Sequence, residues 1–296
     1  MGTATDPGSA DDILATEVFS AIQGEAALVG ERQVFVRLTG CNIRCSYCDQ
    51  PEALERRPGP CRVELTPGRR DWQTVDSPLP ITSLVATVDR LWSLLPHHSI
   101  SLTGGEPLLQ SARAPELIER LANGGRAVML ETNGTLVAAL ERSLPWLTYV
   151  SMDLKLASVD AEHVRPDTQR RFLDAAVRSG VTTWVKVVIG PATDPAQFDV
   201  AIDMVATVAE RWAAGADGPP GDNRSPGSSA RRGAVGRPEP PDAPGRPEVF
   251  LQPVTPFGNV GRAPTPEQVL ELQERALRRY PRVRVVPQTH KAIGQL

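Results

Sequence analysis

TTWVKVVIGPATDPAQFDVAIDMVATVAERWAA, residues 182–214, sets the fold class. Its first part (182–190) is a short run rich in β-branched residues and reads as a strand. From 196 to 214 the apolar residues recur every three or four positions, which is one face of a helix. The pairing repeats on both sides. Upstream, VFVRLTG (34–40), ISLTG (100–104), RAVMLETNG (126–134) and LTYVSMDLK (147–155) read as strands, with helices at 83–95, 114–125 and 168–180. Downstream, EVFLQPV (248–254) and RVRVV (282–286) flank a helical PEQVLELQERALRRY (266–280). Short strands alternating with helices imply right-handed crossovers and a mostly parallel α/β sheet. Six or more such units fit a partial (β/α)6-type barrel.

Two segments break the alternation. Residues 1–13 carry no apolar pattern, and in 214–247 Gly or Pro fills 15 of 34 positions, so neither stretch can bury enough surface to offset its ordering entropy. The expected organisation is one domain over 14–296, interrupted by a flexible insertion at 214–247. With 296 residues, a large core is available without disulfide staples. Lys plus Arg is 32 against 35 for Asp plus Glu, a balance of −3, so no basic field draws in nucleic acid or anionic membrane. No apolar run reaches the ~18 residues of a membrane span, and the start has no signal-peptide pattern. The expected compartment is the cytoplasm. Only Lys155, Lys186 and Lys291 are lysines among the basic residues, which makes them better leads than the many arginines.

Cys41, Cys45 and Cys48 form C-x3-C-x2-C, and Cys61 stands apart. Loops this short make poor disulfides, and a reducing compartment would keep the thiols free. Metal or cluster ligation is the better reading: three thiolates leave one iron of a [4Fe-4S] cubane open, whereas a Cys3His zinc site needs a histidine from elsewhere. Ligand sites of parallel α/β sheets gather at strand carboxyl ends. IQGE (22–25), the cysteine loop, TGGEP (103–107), ETNG (131–134) and QPVTP (252–256) are all expected there, forming one composite site.

C-x3-C-x2-C after a strand, with Tyr47 before the third cysteine and GGEP about 55 residues on, resembles the radical S-adenosylmethionine superfamily. IQGE, the cysteine loop, TGGEPLLQ, ETNG, VKVVI, LQPV and the C-terminal QTHK together resemble the 7-carboxy-7-deazaguanine synthase family. The resemblance implies a [4Fe-4S] cluster whose open iron binds S-adenosylmethionine and releases a 5′-deoxyadenosyl radical. It also implies ring contraction of 6-carboxy-5,6,7,8-tetrahydropterin to 7-carboxy-7-deazaguanine with loss of ammonia, in queuosine-type 7-deazapurine synthesis. A homodimer and a one-electron donor such as flavodoxin or ferredoxin follow from the same resemblance.

Carried over residue by residue, the family pattern places Ile22, Gln23, Gly24, Glu25, Arg37, Thr103, His290 and the terminal carboxylate of Leu296 at the substrate. A carboxylate such as Glu25 accepts two N–H groups of an aminopyrimidinone edge, and an inward Arg37 needs an anion such as the substrate carboxylate. Tyr47, Cys48, Asp49, Gly105, Ser151, Met152, Asp153 and Gln252 match the S-adenosylmethionine side, Gln252 with a structural turn as its alternative. Glu106 either accepts the methionine ammonium or braces its loop, and Lys155 is either a cofactor contact or an ordinary strand-end lysine. Glu131 and Asn133 either line the ribose side or cap a helix beginning near Thr135. The family's Mg²⁺ ligand after the third cysteine is a threonine or serine hydroxyl, and here the position is Gln50. Its amide oxygen is still a hard ligand but on a longer arm. Cys61 reads as a plain thiol.

Two other readings share parts of this pattern: a glycyl-radical activating enzyme, which needs a protein docking groove, and a zinc-bound interaction module without catalysis. Replacing 214–247 by a short Gly/Ser linker is expected to leave the thermal midpoint unchanged in differential scanning calorimetry. A clear fall would place the segment inside the folding unit.

Overall fold

The computed structural model describes residues 12–158, 165–213, 246–257 and 260–294. In chain order the elements are β1 (Asp12–Ile13), β2 (Ala15–Ile22), β3 (Arg32–Leu38), β4 (Gly59–Glu64), β5 (Trp72–Ser77), β6 (Leu79–Pro80) and α1 (Ile81–Leu94). Then follow β7 (Ser99–Gly104), α2 (Ala114–Ala122), β8 (Val128–Thr132), α3 (Val137–Ser143), β9 (Tyr149–Asp153), α4 (Pro166–Arg178) and β10 (Thr182–Ile189). The chain closes with α5 (Pro195–Ala213), β11 (Glu248–Pro253), α6 (Pro266–Leu277), β12 (Val283–Val285) and α7 (Thr289–Ala292).

Seven strands, β3, β7, β8, β9, β10, β11 and β12, lie side by side and parallel, each joined to the next through a helix. This is the expected α/β partial barrel. Each strand alternates its faces, as pleating requires. On β10, Val185, Val187 and Ile189 enter the core beneath the helices, while Trp184 belongs to a separate apolar cluster and Lys186 and Val188 line a cavity. The helices supply matching stripes: Leu117, Ile118 and Leu121 of α2 are fully buried at the spacing of one helix face.

Beyond β3 the sheet turns antiparallel: β2 runs against β3, β4 lies parallel to β2, and β5 runs against β4. No strand is expected from the sequence over 59–80. WQTVDS in β5 is mostly exposed and polar, so neither an apolar run nor a clean alternation marks it. Asp12 and Ile13 pair with Pro80 and Leu79, so regular structure begins ahead of the expected residue 14; residues 1–11 lie outside the described residues. Residues 214–245 of the expected insertion also lie outside them, and Pro247 is buried at the entry to β11.

The direction of β2 corrects one expectation. Because β2 is antiparallel to β3, Ile22 pairs with Arg32, the first residue of β3. IQGE therefore starts beside the amino ends of the parallel strands, opposite the cysteine loop. From there the chain turns inward: Ala26 and Leu28 pack with Met129, Trp184 and Phe250. The segment closes the concave face from below and raises Glu25 into the cavity from that side.

His97, between α1 and β7, stacks on Trp92 with centroids 5.6 Å apart, and its Nε2 lies 2.7 Å from Ser20 Oγ. Ser20 Oγ also accepts from Arg32 Nε at 2.8 Å, leaving its hydroxyl hydrogen for the imidazole. Burial, with Arg32 nearby, holds His97 at about 4 rather than the ordinary 6.5, so the folded state keeps it neutral. The unfolded chain takes up this proton first, so the associated stability is present above pH 6.5 and is lost as pH falls toward about 4. Urea midpoints across that window should fall less steeply for His97→Gln than for the wild type. Parallel slopes would remove His97 from the acid response.

Candidate active site

The cysteine loop is held by backbone packing at the carboxyl ends of β3 and β7. Glu106 N donates to Gly40 O at 2.7 Å, and Gly40 N to Ala53 O at 2.8 Å. A Cβ on Gly105 would stand 2.4 Å from Gly40 O and 2.6 Å from Ala53 O, so only glycine lets the two loops meet. Glu106 settles between its two sequence-stated roles by position. It is fully buried behind this wall, and its carboxylate accepts from Leu108 N, Thr132 Oγ1 and Asn133 N. Burial lifts it to about 7. It braces the loop and does not face the cavity.

Cys41, Cys45 and Cys48 are half-buried, outside any disulfide, and line one cavity together with Tyr47, Asp49 and Gln50. Arg44 fixes the loop by donating to the carbonyls of Cys41 (2.7 Å) and Ile43 (3.0 Å). Asn133 does not cap α3, whose first residue is Val137. Its amide donates to Asn42 Oδ1 at 2.9 Å and lies 4.0 Å from Cys41 Sγ. Among the described residues no three His, Cys, Asp or Glu side chains converge where one ion could sit, the arrangement tetrahedral zinc requires. A cubane distributes its thiolates over separate irons, so three thiols facing one cavity suit it better. Burial raises the Cys41 and Cys48 thiols, and a bound iron would reverse that shift. Cys61 is fully buried in the core and pushed to about 12, the state of an inert thiol.

The cavity floor carries a line of alternating charge. Lys155 Nζ donates to Tyr47 OH at 2.9 Å and to Asp153 Oδ2 at 3.0 Å. The other oxygen of Asp153 lies 3.0 Å from Lys186 Nζ, whose ammonium also pairs with Glu25. Burial raises the Glu25 carboxyl, but the charge and hydrogen bond of Lys186 and the amide of Gln288 outweigh it and hold Glu25 below its ordinary value. For Lys186, burial disfavours the ammonium, and Asp153, Glu25 and Glu131 more than restore it. Glu131 accepts from Ser101 Oγ (2.6 Å) and Gln23 Nε2 (3.1 Å). Burial and Glu25 raise its carboxyl against the pull of Lys186.

Residues 24–25 and 288–291, far apart in the sequence, meet over this floor. Thr289 N and Oγ1 both donate to Gly24 O, at 2.9 and 3.0 Å. A Cβ on Gly24 would stand 2.1 Å from His290 Nδ1, so the glycine makes room for the ring. Gln288 Nε2 reaches Glu25 Oε1 at 2.8 Å, and Lys291 Nζ reaches Asp49 at 2.8 Å. Burial lowers His290 below the ordinary histidine value, which leaves it uncharged near neutral pH.

Ile22, Gln23, Gly24, Glu25, Arg37, Thr103, Gly105, Asp153, Lys155, Gln252 and His290 thus line the same cavity as the cysteines, although they come from nearly the full length of the chain. Arg37 points inward, but its Nε is bound to Glu17 Oε2 at 3.0 Å, a protein anion that the sequence did not suggest. Met152 departs from its expected place: it faces the helix-side core and packs under Gly134. Ser151 shares Asp153's face but is buried and is not among the cavity-lining residues. Leu296 lies outside the described residues. Lys186 stood out in the sequence only as one of three lysines, and Gln288 only as part of QTHK; neither was given a role at the site. A lysine inside the apolar run TTWVKVVI is the same signal that singled out Arg37.

Comparison with known proteins identifies the family. Residues 35–205 match the family model of the Radical SAM superfamily. The chain is 37% identical to the 7-carboxy-7-deazaguanine synthase of Geobacter sulfurreducens, over 95% of this chain and 96% of that one. It is 32% identical to the enzyme of that name from Methanothermobacter thermautotrophicus, over 94% and 96%. In three dimensions it resembles QueE from Escherichia coli, with a TM-score of 0.51 and 18% identity over 93% of each chain. With three cysteines, IQGE and QTHK gathered around one cavity, this chain belongs to the 7-carboxy-7-deazaguanine synthase family of the Radical SAM superfamily.

Proposed function

We propose that the cavity converts 6-carboxy-5,6,7,8-tetrahydropterin into 7-carboxy-7-deazaguanine with release of ammonia. The observation that carries this reading is an ionised Glu25 held inside the cavity that the three cysteines line. When bound, the cluster and S-adenosylmethionine supply the radical that removes hydrogen from C6 of the pterin. Cys41, Cys45 and Cys48 would hold the cluster, and the Gly104–Gly105 backbone, Tyr47 and Asp153 would hold S-adenosylmethionine. Glu25, kept as a carboxylate, is the acceptor offered to the N–H groups of the aminopyrimidinone edge. Arg37 spends Nε on Glu17 and has further N–H donors to offer a substrate carboxylate. His290, uncharged, closes the cavity over Gly24.

Mg²⁺ fits this donor set less well. Gln50 lines the cavity with a neutral amide, and the neighbouring Asp49 is already paired with Lys291. No step is therefore routed through the ion. A low-potential donor such as flavodoxin or ferredoxin, a homodimer and a cytoplasmic location complete the proposal. Among the described residues no helix is long and apolar enough to cross a membrane. The arginine-paired, half-exposed cysteine loop suits direct electron entry from a soluble partner.

Anaerobically reconstituted protein with reductant, S-adenosylmethionine and the carboxytetrahydropterin is expected to yield carboxydeazaguanine by mass spectrometry. Release of 5′-deoxyadenosine without that product would reject the substrate while keeping the superfamily. Gln50→Thr restores a short hydroxyl ligand, so Mg²⁺ should stimulate this variant by a larger factor than the wild type. Equal stimulation would show that position 50 does not set the metal response.

A further inference from the structure

Lys186 stands where a lysine is costly. It lies midway along β10, buried, between the apolar Trp184 and Val188 of the same face. An ammonium out of water persists only when opposite charges compensate it closely. Here the compensation comes from two directions: Glu25, raised from the amino-terminal side of the sheet, and Asp153, at the end of the neighbouring strand β9. Asp153 is tied in turn to Lys155 and, through it, to Tyr47 beside the third cysteine. Without the ammonium, Glu25 and Asp153 would be two half-buried carboxylates in one cavity with Glu131 close by, a repulsive arrangement.

We propose that Lys186 is a positioning residue that couples the pterin subsite to the S-adenosylmethionine subsite, because its single ammonium bridges Glu25 of the first and Asp153 of the second. The proposal rests on the substrate reading above and extends it to how the two ligands sense each other. Neither carboxylate can change its charge or aim without altering the cation it shares. A substitution at one subsite is therefore felt at the other through the shared ammonium.

The experiment measures two affinities on the cluster-reconstituted protein: S-adenosylmethionine by isothermal titration calorimetry, and the carboxytetrahydropterin by equilibrium fluorescence titration and by KM. Lys186→Met keeps most of the apolar stem and removes the charged end that pairs with Glu25 and Asp153. It is expected to weaken both ligands by about tenfold or more, equivalent to about 1.4 kcal/mol each. Lys186→Arg, which keeps the charge, should recover most of both affinities. Loss of one affinity alone, or of neither, overturns the coupling. Should Lys186→Met fail to fold by circular dichroism, Asp153→Asn decides: it is expected to raise the pterin KM, and an unchanged KM overturns the proposal. A wild type that binds S-adenosylmethionine but not the pterin would instead reject the substrate reading itself.

Discussion

A buried lysine ammonium shared by two carboxylates organises this molecule. Lys186 cannot leave water unless Glu25 and Asp153 come to it, and they come from opposite ends of the sheet. That requirement fixes how the turn after β2 enters the concave face and where β9 ends against β10. The same pairings keep Glu25 ionised despite its burial. The site therefore offers a charged acceptor in a place that would otherwise neutralise a carboxyl group.

The cysteine loop is governed by a different constraint. Its thiols must reach the cavity from a short connection at the strand ends, so the backbone beneath has to be rigid. Gly105 lets two loops touch at a distance no side chain would allow, and the buried carboxylate of Glu106 ties TGGEP to the turn after β8. Rigid support under the ligand loop is what a cluster site needs, since misplaced thiolates cannot share one cubane.

Much of the architecture was legible from local pattern. Strand and helix periods located nearly every element of the parallel sheet, because a 182–189 strand and a 195–213 helix bury opposite stripes whose spacing shows directly in the residues. C-x3-C-x2-C was equally direct, since ligand spacing within one loop is a property of the chain alone. The β4–β5 hairpin was not legible: its strands are short and largely polar, and β4 gains its structure from pairing with β2 and β5 from pairing with β4. Lys186 carried a visible signal, a charge within an apolar strand, but nothing in the chain says which of many acidic residues answers it.

The sequence by itself determined the repeating units, the three thiols and the family motifs, all of which depend on neighbours within a few residues. Only the tertiary structure decided that β2 runs against β3, so that IQGE rises from the amino-terminal side rather than joining the cysteines at the carboxyl ends. It also assigned Glu106 to bracing, turned Met152 toward the helices, bound Arg37 to Glu17 and joined QTHK to Gly24. Strand direction and side-chain partnership arise from contacts between residues far apart in the chain, and no local period encodes them.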